Sequence, residues 1–298
     1  MRIPRFSLGS WAFSFGPFEN DPWSFDRFLT YAAEAGYDGV EINGFQPHPH
    51  PDDYATIGAC RELKVRIDGL GLGISGYAPD FRSVPPAEVG PDAYNAELDK
   101  VLAFCERLDI QTLRVDSVSP PLAFAPGEYA RRFDQIVETW RAAAVRAADK
   151  GVTIVWEFEP GFWLNKPSEV IALAEAVDHK GFKLLFDTSH AHMGAVIGAR
   201  QTGVPQLLSG GEAEYAELAL GHIGHVHLID SDGTLHNRET STHSPFGTGN
   251  VDFPAVLTAL APIWDDLEWC CFDFCFCPTT ETDAAKAIPF VRQLLQNQ

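Results

Sequence analysis

Eight short apolar runs recur along the chain at intervals of a few tens of residues, each followed by a longer stretch with helical spacing. They cover residues 6–11, 39–42, 69–74, 112–115, 152–158, 183–186, 223–229 and 269–274. This is the sequence form of repeated βα units, and eight of them in 298 residues predict an α/β fold, a closed (β/α)₈ TIM barrel. The intervening helices carry start signals: Ser24 ahead of Phe25, Pro167-Ser168-Glu169 ahead of Val170, and Asp252 ahead of Phe253. Gly36, Gly151 and Gly181 fit helix ends or the turns after them. No low-complexity linker or charge block divides the chain, so a single domain over 1–298 is expected. An open doubly wound sheet would call for a G-x-G-x-x-G turn after an early strand. Gly69-Leu70-Gly71-Leu72-Gly73 lacks that spacing and reads as part of the third strand.

Charge narrows the partners. With 22 basic against 41 acidic residues the formal net charge is −19, a field that repels phosphate backbones and anionic lipid surfaces, so neither nucleic acid nor membrane is expected. No stretch approaches the roughly 18 apolar residues of a membrane span. Met1-Arg2-Ile3-Pro4-Arg5 leads into mixed sequence rather than a signal peptide's apolar segment, which predicts a soluble, cytoplasmic protein. Six cysteines are too few for a disulfide scaffold of this length. Four of them, Cys270, Cys271, Cys275 and Cys277, crowd into an aromatic run and read as buried thiols in a reducing compartment.

In a barrel of this kind the residues that do chemistry lie at the C-terminal ends of the strands. The fifth run ends in Glu157-Phe158-Glu159, where alternation turns both carboxylates inward and Trp156 and Phe158 toward the helices. Two inward acids call for a cation, either a metal or a Lys or Arg bonded to one of them. No Arg or Lys stands with the acids and histidines at the ends of the fifth to eighth runs. The sixth run ends in Asp187 with His190 three residues on, a pair that either shares one cation or leaves Asp187 as a helix cap. His225 and His227 share one face of the seventh run, with Asp230 placed to orient a ligating imidazole. Asp273 is a lone charge among aromatic and cysteine residues of the eighth, and a metal resolves its burial. Seven of the ten histidines fall between His190 and His243, across the sixth and seventh strand ends. Cys271 and Cys275 share Asp273's parity and would favour zinc, whereas the oxygen-rich remainder favours manganese, magnesium or cobalt.

Together and in this order, these strand ends resemble the sugar isomerase/epimerase superfamily of xylose-isomerase-like TIM barrels. The specific part is the carboxy half: Glu157 closing 151–157, Asp-x-x-His in 187–190, His-x-x-Asp in 227–230, and the G-x-G loop in 245–252. The resemblance implies one divalent metal ion held by Glu157, Asp187, His227 and Asp273. It gives His190 a substrate contact as in epimerase-like members, or a metal bond as in endonuclease-like ones. Two departures stand out: the family's strand-eight acid is usually Glu, one methylene longer than Asp273, and Glu159 is a second acid able to exchange roles with Glu157. Endonuclease-like members build a multi-metal site from additional early-strand histidines. Only His48 and His50 lie in the first half here, so a one-metal, small-molecule site is expected.

Such an ion, bound to a sugar's carbonyl and adjacent hydroxyl, acidifies the neighbouring C–H, and a carboxylate can then remove the proton to give an enediolate. Reprotonation on the opposite face epimerises; on the neighbouring carbon it isomerises. The expected catalytic residues are Glu157 or Glu159 facing Asp273, with His190, His243, Lys166 and Arg200 contacting substrate. Trp11, Phe13, Phe45, Phe162, Trp163 and Phe246 are the aromatic residues available as walls around a ring. A keto- or aldo-sugar or cyclitol is the expected substrate. Two rivals stay open: a metal-dependent lyase or dehydratase expelling a leaving group from a keto-sugar derivative, and a non-catalytic sugar-binding barrel. Homo-oligomerisation is also left open.

Overall fold

Eight strands hydrogen-bond edge to edge until the last meets the first. In the computed structural model, which describes residues 3–296, these are β1 (Arg5–Gly9), β2 (Gly39–Asn43), β3 (Gly73–Ala78), β4 (Thr112–Val115), β5 (Thr153–Glu157), β6 (Phe182–Asp187), β7 (Ile223–Leu228) and β10 (Trp269–Phe272). They close in the order β1-β10-β7-β6-β5-β4-β3-β2, all parallel, so the TIM barrel is observed. Met1, Arg2, Asn297 and Gln298, and with them the ends of the expected 1–298 domain and part of the opening segment, lie outside the described residues.

Among the described residues ten α-helices clothe the barrel: α1 (Phe25–Glu34), α2 (Ile57–Gly69), α3 (Pro86–Val89), α4 (Pro91–Leu108), α5 (Tyr129–Ala148), α6 (Pro167–Val177), α7 (Thr188–His192), α8 (Gly211–Ala219), α9 (Phe253–Leu260) and α10 (Thr280–Gln296). Their starts follow the sequence. The Ser24 hydroxyl accepts from Arg27 N–H, and the Asp252 carboxylate from Ala255 N–H. Between strands and helices lies an aromatic-rich core. Trp156 of β5 meets Trp140 of α5 with ring centroids 5.2 Å apart, and Phe158 meets Tyr215 at 5.0 Å. Since Trp156 faces a helix, alternation sends Glu157 into the barrel. No helix among the described residues is long and apolar enough to cross a membrane. All six cysteines are free thiols, five of them buried and Cys275 half-buried.

Two elements differ from expectation. The third strand begins at Gly73, not Gly69, because the apolar stripe of Cys60, Leu63 and Ile67 carries α2 through Gly69. The chain then turns at Gly71, whose φ of +75° suits glycine. After β7 comes an antiparallel hairpin, β8 (Asp230–His236) and β9 (Thr240–Ser244), that contributes to the rim at the C-terminal mouth. Its polar, Thr- and His-rich sequence lacks an apolar run. Glu159 and Asp273 stand two residues and one residue past their strands rather than within them.

Candidate metal centre and active site

Four adjacent strands, β5, β6, β7 and β10, bring Glu157, Asp187, His227 and Asp273 to one place. The β6–β7 register sets Asp187 beside His227, and the β7–β10 register sets His227 beside Cys271, two residues before Asp273. All four are buried, and each offers one ligand atom within 4.8 Å of the other three.

Each side chain is tethered by one atom and offers another. Glu157 Oε2 is 2.7 Å from an Arg114 guanidinium nitrogen, while Oε1 makes no hydrogen bond. Asp187 Oδ1 accepts from His190 N–H at 2.8 Å and caps α7, while Oδ2 is bare. Asp187 therefore answers to both of its readings, cap and candidate ligand. Asp273 Oδ1 accepts from Trp11 Nε1 at 2.6 Å and Cys275 N–H at 2.7 Å, and Oδ2 lies 3.8 Å from His227 Nδ1. His227 Nε2 lies 3.3 Å from both oxygens of Glu41, leaving Nδ1 toward Glu157 Oε1.

A divalent ion fits this arrangement. Glu157 Oε1 and His227 Nδ1 are 2.9 Å apart but not aligned as a hydrogen bond, and Asp187 Oδ2 has no partner although it is fully buried. Neighbouring ligands bonded at about 2.1 Å to one ion are about 3 Å apart, so the Glu157–His227 pair has the spacing of a shared cation, and Asp187 offers a ligand atom within 4.8 Å of both. Three carboxylates and one imidazole suit manganese, magnesium or cobalt, and zinc also accepts them. Cys271 lies within ligand distance of Glu41 and His227 on the far side of that imidazole, away from the carboxylate cluster.

Burial pushes all four carboxyls in and beside the cluster upward, and their neighbours decide how far. At Glu157 the Arg114 guanidinium and His227 outweigh burial and hold the group below the usual carboxylate range. At Asp273 His243 and His227 do so more strongly. Asp187 stays pushed up to about 7, and Glu159, with Asp116 adding to burial, to about 8. Burial lowers His190 to about 3, whereas Asp273 outweighs burial at His243 and raises it to about 9.

Above the cluster is a cavity of about 430 Å³. Glu157, Asp273, Glu159, His190, His243 and Arg200 line it. His190 donates or accepts through Nδ1 with the Ser241 hydroxyl at 2.8 Å, and its Nε2 is 3.9 Å from Glu159, which also bonds the Thr240 hydroxyl. Neither ring nitrogen of His243 has a hydrogen-bond partner. Lys166 is not part of the lining; it precedes α6, where its N–H donates to Glu169. Of the expected aromatic walls, Trp11, Phe45 and Phe162 line the cavity, while Phe13, Trp163 and Phe246 pack into aromatic clusters instead. Phe15 and Phe276 take their place. Asp230 orients no imidazole: it accepts from Gly247, Gly249 and Val251 N–H and so shapes the loop between β9 and α9.

The acids do have a cationic match. Arg114 projects from β4 to Glu157 and, at 3.1 Å, to Asp116. Arg114, Asp116 and Glu41 escaped the sequence reading. The signal available was a charged residue on the inward parity of an apolar strand, Arg114 in Leu-Arg-Val and Glu41 in Val-Glu-Ile.

Residues 29–294 match the family described as the xylose isomerase-like TIM barrel. The chain is similar to an inosose dehydratase of Geobacillus thermodenitrificans (strain NG80-2), 23% identical over 295 residues that span 92% of this chain and 88% of the relative. It is similar in structure to a D-psicose 3-epimerase of Clostridium cellulolyticum H10 solved with D-tagatose: 17% identity, TM-score 0.72, covering 98% of this chain and 99% of that one. A family 2 AP endonuclease of Brucella melitensis is alike too, at 18% identity and TM-score 0.69, covering 97% and 99%. At such identities a structural likeness shows the fold, and different chemistries share it. By the match over most of its length and by its closed eight-stranded barrel, the chain belongs to the xylose isomerase-like TIM barrel family.

Proposed function

We propose that this protein is a divalent-metal-dependent isomerase or epimerase acting on a keto- or aldo-sugar or cyclitol through an enediolate. The observation that carries the reading is the set of bare, buried donor atoms on Glu157, Asp187 and His227, joined by Asp273, beside a cavity of sugar-binding size. Glu157, Asp187, His227 and Asp273 would hold the ion, with manganese, magnesium or cobalt best suited. When bound, it draws electron density from a substrate carbonyl and so acidifies the adjacent C–H.

The chain's own residues divide the remaining work. Glu157, steadied by Arg114, and Asp273, steadied by Trp11 and Cys275, are held as carboxylates and serve as the proton acceptors. Glu159 stands by as a third acid, directed by Thr240 toward His190. His190, His243 and Arg200 contact substrate hydroxyls, and Trp11, Phe45 and Phe162 pack against apolar faces of the ring. The likeness to an epimerase and to a dehydratase supports proton removal beside a carbonyl as the shared first step. Free thiols throughout suit a reducing compartment, and a cytoplasmic location is part of this reading.

One observation favours elimination as a second reading. Phe45, Phe15 and Phe276 follow one another along one wall, with centroids 5.5 and 6.3 Å apart, and could face an apolar leaving group carried by a keto-sugar. Metal-loaded protein incubated with keto-sugars in deuterated water separates the outcomes by NMR. Deuterium entering beside the carbonyl with the skeleton kept supports isomerisation or epimerisation, and release of water or an aglycone supports the lyase. Tight sugar binding with no exchange would overturn both and leave a sugar-binding barrel.

A further inference from the structure

Beneath the candidate ligands the barrel interior holds another carboxylate that this mechanism does not use. Glu41, on β2, is 0% exposed and reaches across the barrel to β7. It accepts from His225 Nε2 at 2.8 Å and lies 3.3 Å from His227 Nε2 through each of its oxygens. Gly76 on β3 leaves room for it, since a Cβ there would come within 3.2 Å of the Glu41 carboxyl carbon. A carboxylate so far from water persists only where donors satisfy it, and here two imidazole N–H groups do.

An imidazole that donates from Nε2 carries its lone pair on Nδ1. In His227 that second nitrogen faces Glu157 Oε1 at 2.9 Å and Asp273 Oδ2 at 3.8 Å. We propose that Glu41 is the positioning residue of the metal centre: it fixes the tautomer and ring plane of His227 so that Nδ1 is offered to the ion, with His225 as the second donor that holds Glu41 in place. This rests on the reading of Glu157, Asp187, His227 and Asp273 as metal ligands. A carboxylate serves both imidazoles because both its oxygens accept. The amide of Glu41→Gln has one accepting oxygen and one NH₂, so it must present donors to His225 or His227. Turned toward His227, it favours the tautomer with a proton on Nδ1, where the ion should bind.

Two measurements test this. Chelator competition with Mn²⁺ at fixed pH is expected to show binding weaker by about 10–100-fold in Glu41→Gln, the range typical when a partner of a metal-bound histidine is lost. Glu41→Asp, which keeps both accepting oxygens, is expected to recover part of that loss. In the wild-type protein loaded with Zn²⁺, ¹⁵N NMR of the histidines is expected to show His227 protonated at Nε2 and metal-bound at Nδ1, a readout that requires no variant to fold. A folded Glu41→Gln protein that binds Mn²⁺ as tightly as wild type, or a His227 bound through Nε2, would overturn the proposal. A wild type that binds no divalent ion would instead overturn the four-ligand reading, and this proposal with it.

Discussion

Asp187 has two oxygens and the fold uses them differently: one closes the first turn of α7, the other is left bare beside His227 and Glu157. The same division recurs at Glu157 with Arg114 and at His227 with Glu41. A side chain held at one atom loses little further freedom when the other atom takes a ligand, so the site is organised before anything binds. His243 differs: neither ring nitrogen makes a hydrogen bond, and Nδ1 pairs with Asp273 by charge at 3.3 Å. As a cavity residue outside the four ligands, it is expected on His243→Ala to raise KM about tenfold, the loss of roughly one hydrogen bond, with Mn²⁺ affinity little changed. Steady-state kinetics alongside metal titration check this, and a large loss of metal affinity would move His243 into the ligand set. At this scale the meeting of Glu157, Asp187, His227 and Asp273 was legible because each is an acid or histidine at a strand end. Glu41 was not, because its partner His225 lies 184 residues away across the barrel interior. Arg114 was missed for a related reason: its target, Glu157, lies on the next strand, and sequence spacing carries no sign of such pairing.

Connections after the strands carry more than the active site. In the segment between β2 and α2, His48 is buried against Phe25 and Phe28, with ring centroids 5.5 and 6.0 Å away. Its Nε2–H donates to the Trp23 carbonyl and its Nδ1 accepts from the Ser10 hydroxyl, whose oxygen accepts in turn from Asn43 N–H. This network is complete with a neutral ring, and burial lowers His48 to about 4. Between that value and an unfolded value near 6.5, the unfolded chain binds a proton the folded chain refuses, so stability falls as pH drops from about 6.5 toward 4. The loss due to His48 is about 2 kcal/mol at pH 5. His48→Gln is expected to lose that much less than wild type between pH 7 and pH 5 in urea titrations; equal losses would contradict the assignment. Most elements were legible because strands buried on both faces are apolar runs, but two were not. Helical spacing ran on into the glycines before β3, and the β8–β9 hairpin is too polar to announce itself as strand.

Closing the barrel brings residues from 157 to 273 to one point, so the proposed ion site exists only in the folded chain. An ion that binds the folded state alone stabilises it by mass action, about 2.7 kcal/mol at one hundred times its Kd. The net charge of −19 works in the same direction by raising the local concentration of cations while opposing polyanions. The fold and the grouping of these four side chains both follow from eight apolar runs ending in acids and histidines, whereas the cavity's lining comes from rim residues that the sequence leaves scattered. Elemental analysis of protein purified without chelator, with Asp187→Ala beside the wild type, decides whether these four side chains hold an ion. One divalent ion per wild-type chain, lost from Asp187→Ala, is the expected result. A wild type with no ion, or a folded Asp187→Ala protein at full occupancy, would contradict it.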